Sequence, residues 1–269
     1  TSTGEYPSRR SARGMVWLTM VMVPPPTSFF IFTRPRSGSM PVVSQSIISP
    51  MVPVGAITVV DATAAASHIP LDVRALGCDA LYFSGHKMFA PTGIGVLWVA
   101  MPLLRQLQPS TFGGHMIAHM DEGKAAWADI PSRFEAGTKN ISGVIGLAAA
   151  IDVVATLGQA AIRAHVEELV QEATAALLAI PGVTVISERD PKHNVGIVSF
   201  TCDFAHPHDV AEVLARDRVA VRPGHHCAIP LHGALGIESS VRASFHCYNT
   251  TADVDALIGA LKKCKTLFS

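Results

Sequence analysis

Asp79-Ala-Leu-Tyr-Phe-Ser-Gly-His-Lys87-Met-Phe-Ala-Pro-Thr-Gly-Ile-Gly95 is the stretch whose reading decides the fold. Ala80 to Phe83 is a short, continuous apolar run, the pattern of a strand covered on both faces. It ends in Ser84, Gly85, His86 and Lys87. An ammonium directly after a hydrophobic strand is unusual, because strand ends near a core disfavour a charge. A desolvated amine at such a place is a nucleophile toward carbonyls. The Ser84 hydroxyl and the His86 ring can hold a phosphate, and Gly85 lets the backbone come close. The Pro91 to Gly95 run offers a tight turn. The tetrapeptide alone also reads as an exposed loop lysine after a strand.

Upstream, Gly55 to Asp61 reads as a second buried strand, ending in an acid. An acid there can pair with a protonated pyridine nitrogen, the partner a pyridoxal phosphate ring needs to act as an electron sink. A helix N-cap is the other use of such an Asp. Downstream, Gly93 to Val99 is a third apolar strand. Three such runs predict a parallel or mixed sheet covered on both faces. Helices are predicted over Gly143 to Leu157, with Gly158 as the stop, and over Gln159 to Ile180, ended by Pro181-Gly182. The texture then changes. Strands are predicted at Val183–Ser187, Val195–Thr201, Val219–Arg222 and Ser240–Phe245, with helices at Asp209–Arg216 and Ala252–Leu267. That order describes a small α+β domain. The expected organisation is residues 55–165 as a partial large domain and 166–269 as a small C-terminal domain.

Arg222-Pro-Gly-His225-His226-Cys227 carries the next chemistry. A cysteine attacks only as thiolate, and neighbouring His or Arg supplies or stabilises that form. A buried structural cysteine or a metal site are the competing readings. Ligands adjacent at 225, 226 and 227, with His232, do not give structural-zinc spacing, so no metal is expected. Arg242, inside a strand pattern, suits a bidentate grip on a substrate carboxylate or, more plainly, a strand-end ion pair. The other cysteines, at 78, 202, 247 and 264, read as structural.

Composition bounds the rest. Of 269 residues 49% are apolar and 16% charged, which favours a sizeable core. Basic and acidic side chains balance at 21 each, so nothing argues for nucleic acid or an anionic membrane surface. The apolar run Met15 to Val23 is too short for a membrane span and stops at Pro24-Pro25-Pro26. Five cysteines without a C-x-x-C suggest a reducing compartment, hence the cytoplasm. Residues 1–54 stand apart: five arginines against Glu5 alone, eight of the 18 prolines, and no histidine. They show no sustained period. A targeting peptide, a tail, or translation in a wrong frame each agree with that composition.

In order, these elements resemble the pyridoxal-phosphate (PLP)-dependent cysteine desulfurases of the SufS type, within the class V aminotransferase group. The resemblance runs from about Gly55 to the C-terminus. It rests on Val60-Asp61, the 79–95 stretch, Arg133-Phe-Glu-Ala-Gly-Thr138-Lys-Asn140, Val221-Arg-Pro-Gly-His-His-Cys227-Ala and Val241-Arg-Ala-Ser244 with Tyr248-Asn249-Thr250. It implies a PLP-dependent transferase of fold type I, with a partial mixed-sheet large domain, acting as a homodimer on L-cysteine. Lys87 is then the residue that carries PLP covalently, and Asp61 holds the pyridine nitrogen. Ser84 and His86 bind the phosphate, with Thr138 reaching the phosphate of the neighbouring subunit. Cys227 takes the sulfur as a persulfide and alanine leaves. Arg242 holds the substrate carboxylate and Arg222 lies near the active-site loop. The sulfur passes to an acceptor protein serving iron–sulfur cluster assembly. The family's large domain begins well before the Asp strand, so the chain reads as N-terminally incomplete. Ala64 stands where the family has glutamine, and Lys139 where it has proline. A selenocysteine lyase, an epimerase or a non-catalytic fragment are the alternatives.

Overall fold

The computed structural model describes residues 20–21, 30–32 and 57–268. Two short strands, β1 (Met20–Val21) and β2 (Phe30–Phe32), pair antiparallel with each other, and β2 pairs antiparallel with β3 (Val59–Asp61). The three readings offered for residues 1–54 otherwise fall outside the described residues. These two strands are a correction to the absence of any strand pattern there: segments of two and three residues are too short to write a period.

After β3 comes a one-turn helix α1 (Val73–Leu76), capped by Asp72, whose carboxylate accepts the Arg74 and Ala75 N–H groups. Strands β4 (Ala80–Ser84) and β5 (Gly95–Val99) complete a mixed five-stranded sheet in the order β1-β2-β3-β4-β5. β3 and β4 run parallel, with Asp61 opposite Tyr82. β4 and β5 run antiparallel, with Ser84 opposite Gly95. β5 corrects the expectation of strands covered on both faces. It is an outer strand of this sheet among the described residues, and Leu97 is 67% exposed.

Helix α2 (Met101–Leu104) leads to a hairpin, β6 (Ile117–Asp121) and β7 (Lys124–Trp127), that no sequence pattern announces. Helix α3 (Ile141–Leu157) starts two residues before the predicted Gly143, because the Asn140 side chain caps it by accepting the Gly143 N–H at 2.9 Å. Its end at Gly158 is as predicted. Gly146 lies against Pro91, where a Cβ would sit 2.5 Å from the ring, so α3 packs closely on the turn after Lys87.

Helix α4 (Gln159–Leu178) is followed by β8 (Val183–Val185), β9 (Ile197–Cys202), α5 (Pro207–Arg216), β10 (Arg222–Gly224), α6 (Ile229–Ala234), β11 (Ser240–Ser244) and α7 (Thr251–Phe268). The four strands form an antiparallel sheet in the order β10-β11-β9-β8. β10 lies at 222–224 and not at the predicted 219–222. Pro223 cannot donate to a ladder, and it is tolerated here because β10 is an outer strand of this sheet. Phe200, Val198 and Val241 are fully buried under Leu169, Leu214, Leu257 and Leu261 from the helices. Burying a Leu or Phe side chain contributes roughly 2 kcal/mol, so this layer anchors β9 and β11, and β10 is held through its pairing with β11. The same core continues into Ala66 and into Met88 and Ala90, which follow Lys87 in the chain. No single helix among the described residues is long and apolar enough to cross a membrane.

Candidate active site

Two groups of side chains stand out. The first forms at the ends of β3 and β4. Asp61 is buried at 8% exposure, and its carboxylate accepts the Thr63 N–H at 2.8 Å. The Tyr82 hydroxyl also bonds to it. Burial, then the Asp61 charge and this bond, push the Tyr82 phenol up to about 12. A carboxylate has about four acceptor positions, so Asp61 retains capacity for another donor. Ser84 Oγ lies 2.7 Å from His86 Nδ1. Lys87 follows in a single 3-10 turn, Gly85–Met88, with its side chain exposed. Gly85 is needed for a reason internal to the chain. A Cβ there would lie 2.8 Å from the Ile94 side chain and 3.1 Å from the Ile94 carbonyl oxygen, which accepts the Gly85 N–H.

The second group forms where β10 meets β11. Arg222 and Arg242 are register partners. The Cys227 sulfur is exposed, 3.9 Å from Arg222 Nη2. Cys227 (φ 63°) and His226 (φ 52°) both occupy the left-handed region. Arg242 Nε is buried without a hydrogen-bond partner. Burial, then the Arg222 charge, lowers its pKa, and the Cys227 sulfur opposes that. Two guanidiniums and a thiol therefore share one small volume, with one guanidinium N–H buried and unpaired. Such an arrangement can take a carboxylate beside a nucleophilic sulfur.

Among the described residues, no side-chain hydrogen bond runs between Asp61, Ser84 or His86 and the Cys227 group. Thr138 is exposed, and its neighbour Gly137 donates to the Gly114 carbonyl. Asn140 reaches the Gly93 carbonyl at 3.1 Å and so ties that segment to the turn after Lys87. Arg133 braces the fold: its Nη2 donates to the Leu104 and Arg105 carbonyls.

Sequence reasoning missed a buried cluster behind Lys87. Ser67 Oγ lies 3.2 Å from the Lys87 carbonyl oxygen and 2.9 Å from His246 Nε2. The Cys247 N–H donates to His246 Nδ1 at 2.8 Å, so Nε2 carries the proton and donates to Ser67. His68 lies against the His246 ring at 4.2 Å, Phe89 meets it edge-on at 4.7 Å, and Tyr248 stacks on it at 5.6 Å. Burial, then the neighbouring His68, lowers His246 to about 4, and burial lowers His68 as well. The Ser67–His246 contact spans 179 residues of sequence, so no local period announces it.

The class-V aminotransferase family model matches residues 40–257, beginning inside the atypical N-terminal segment, and the chain belongs to that family. The "Probable cysteine desulfurase" of Halalkalibacterium halodurans is 46% identical over 214 residues, covering 80% of this chain and 52% of that protein. In structure, the apo cysteine desulfurase from Thermococcus onnurineus NA1 matches with a TM-score of 0.76 at 40% identity, covering 79% of this chain and 53% of that one. The S-sulfonic acid form of the Escherichia coli cysteine desulfurase CsdA matches with a TM-score of 0.74 at 35% identity, covering 78% and 51%. The chain thus spans about half the length of these relatives. The fold is the type I architecture that the sequence motifs implied.

Proposed function

We propose that the chain carries the lysine, cysteine and arginine machinery of a PLP-dependent cysteine desulfurase. The observation that supports this best is the Cys227 turn: an exposed sulfur beside Arg222, next to a buried Arg242 Nε that lacks a partner. The residues at the other group suit PLP. Lys87 supplies the amine, Asp61 keeps an acceptor position for a pyridinium N–H, and the Ser84–His86 pair offers a hydroxyl and an imidazole for a phosphate. When bound, PLP supplies an electron sink for the substrate's amino-acid carbon framework.

The chain's own residues do the rest in this reading. Arg242 grips the carboxylate of L-cysteine, with Arg222 beside the sulfur. Cys227 Sγ attacks the substrate's sulfur. An S–S bond forms on Cys227, the Cβ–S bond breaks with its electron pair going to carbon, and protonation there yields alanine. The persulfide sulfur then passes to an acceptor protein for iron–sulfur cluster assembly. Thr138 serves the phosphate of a second copy in a homodimer. Residues 55–165 act as the PLP-binding portion and 166–269 as the small domain. The free cysteines suit a reducing compartment such as the cytoplasm.

The test is a visible spectrum of the purified chain with PLP, then borohydride reduction and peptide mass mapping. A pyridoxyl adduct on Lys87, absent in Lys87→Ala, is expected. Alanine release from cysteine is then expected to be abolished by Cys227→Ser. An unmodified Lys87, or alanine formation that survives Cys227→Ser, refutes the proposal.

A further inference from the structure

Consecutive left-handed residues that carry a Cβ are sterically disfavoured, so something must hold His226 and Cys227 there. Ser240 is the anchor. It is fully buried on β11, opposite Gly224 of β10. Its Oγ lies 3.0 Å from His226 Nε2 and 3.0 Å from Nε2 of the buried His232. His232 Nδ1 lies 3.0 Å from the Ala228 carbonyl oxygen.

These contacts allow one polarity when both rings are neutral. A carbonyl only accepts, so His232 carries its proton on Nδ1 and its Nε2 is a lone pair. That lone pair takes the single Ser240 O–H. Toward His226, Ser240 Oγ can then only accept, so His226 donates from Nε2. The nitrogen left without a donor is His226 Nδ1, and it is the ring atom that is buried with no partner. Burial, then Arg242, Arg222 and His232, lowers His226 to about 4, which keeps its ring neutral. The chain of bonds runs His226, Ser240, His232, Ala228. Its two ends are the residues on either side of Cys227.

We propose that Ser240 and His232 are positioning residues for Cys227: a tautomer-locked loop of hydrogen bonds that clamps residues 226 and 228 and presents the sulfur beside Arg222. The clamp rests on the desulfurase reading only for what Cys227 attacks. Without it the turn relaxes and the sulfur leaves its place beside the Arg222 guanidinium.

The experiment uses the full chain, reduced and without PLP, at pH 8. The rate of Cys227 alkylation by iodoacetamide is followed by peptide mass spectrometry. Long-range proton–nitrogen spectra report the imidazole tautomers. The wild type should show Nε2–H on His226 and Nδ1–H on His232. Ser240→Ala and His232→Leu should slow Cys227 alkylation about five-fold, the factor for one net hydrogen bond. His232→Gln, whose amide oxygen reaches the position of Nε2, should restore the rate to within about two-fold. Equal rates in all variants, no rescue by Gln, or an Nε2–H tautomer on His232 overturns the proposal. If the apolar variants unfold, the wild-type tautomers and the Gln rate still decide it. Failure of the desulfurase reading shows elsewhere, as no pyridoxyl adduct on Lys87.

Discussion

His246 folds into the protein as a neutral ring, and acid should therefore weaken the protein through it. Its ordinary pKa is 6.5, and in the folded chain burial and the neighbouring His68 bring it to about 4. Unfolded chain takes up the proton first, so the stability is present above 6.5 and is lost as the pH falls toward 4. Across that whole window the gap is worth about 3 kcal/mol, and between pH 7 and pH 5 about 2 kcal/mol. His246→Phe keeps the ring contacts with Phe89 and Tyr248 but removes the proton, the bond to Ser67 and the acceptor of the Cys247 N–H. At pH 7 the variant should be less stable by about 2 kcal/mol, the net value of two hydrogen bonds, since Ser67 retains the Lys87 carbonyl. At pH 5 the wild type has lost about 2 kcal/mol that the variant never had, so the gap between them should close. Urea unfolding followed by circular dichroism at pH 7, 6 and 5 measures this. His226 is also lowered and adds acid sensitivity equally to both proteins, whereas His68 touches the substituted ring and titrates together with it. Parallel curves, with the same loss between pH 7 and pH 5 in wild type and variant, would falsify the assignment of this term to His246.

Three other substitutions or conditions separate structure from chemistry. Gly196→Ala should destabilise by more than about 2 kcal/mol in the same urea assay, through left-handed strain and a backbone clash: φ is 86°, and a Cβ would lie 2.2 Å from the Phe245 carbonyl oxygen. Asn140→Ala removes the α3 cap and the tie to Gly93, and should cost about 1 kcal/mol. At pH 9 Cys202 should stay unalkylated in the folded protein, because burial, then Cys264 and Asp203, push its thiol up to about 12. Rapid labelling of Cys202 before unfolding would contradict that.

What could be read in the sequence follows from the range over which each interaction acts. The junction between α3 and α4 was legible because capping is local: Gly158 ends one helix and starts the next within a single residue. The Arg222, Cys227 and Arg242 group was legible because strand pairing of β10 with β11 brings together two short motifs that each stand out alone. The β6–β7 hairpin was not legible. All residues of β6 are exposed, so burial imposes no alternation on them. Its one local signal was Glu122-Gly123, two positive-φ residues between the strands. β10 was displaced because Val219 and Val221 have the strand composition and pack on the core, while the pairing residues include a proline.

The polar cores were the least legible, and for the same reason they are the most informative. A buried serine or histidine has no periodic signature, since its value depends on a partner supplied by distant sequence. Ser67 meets His68, His246 and the Lys87 carbonyl, and Ser240 meets both His226 and His232. Removing a single member leaves a buried polar atom unsatisfied, at a cost of about 1–3 kcal/mol, more than the bond itself contributes net. One cluster abuts the backbone of Lys87 and the other brackets Cys227. Lys87 and Cys227 are thus exposed, while the backbone beside each is held from behind by buried hydrogen-bonded groups. In the proposed function, that separation would keep the amine and the sulfur accessible while their backbone is fixed.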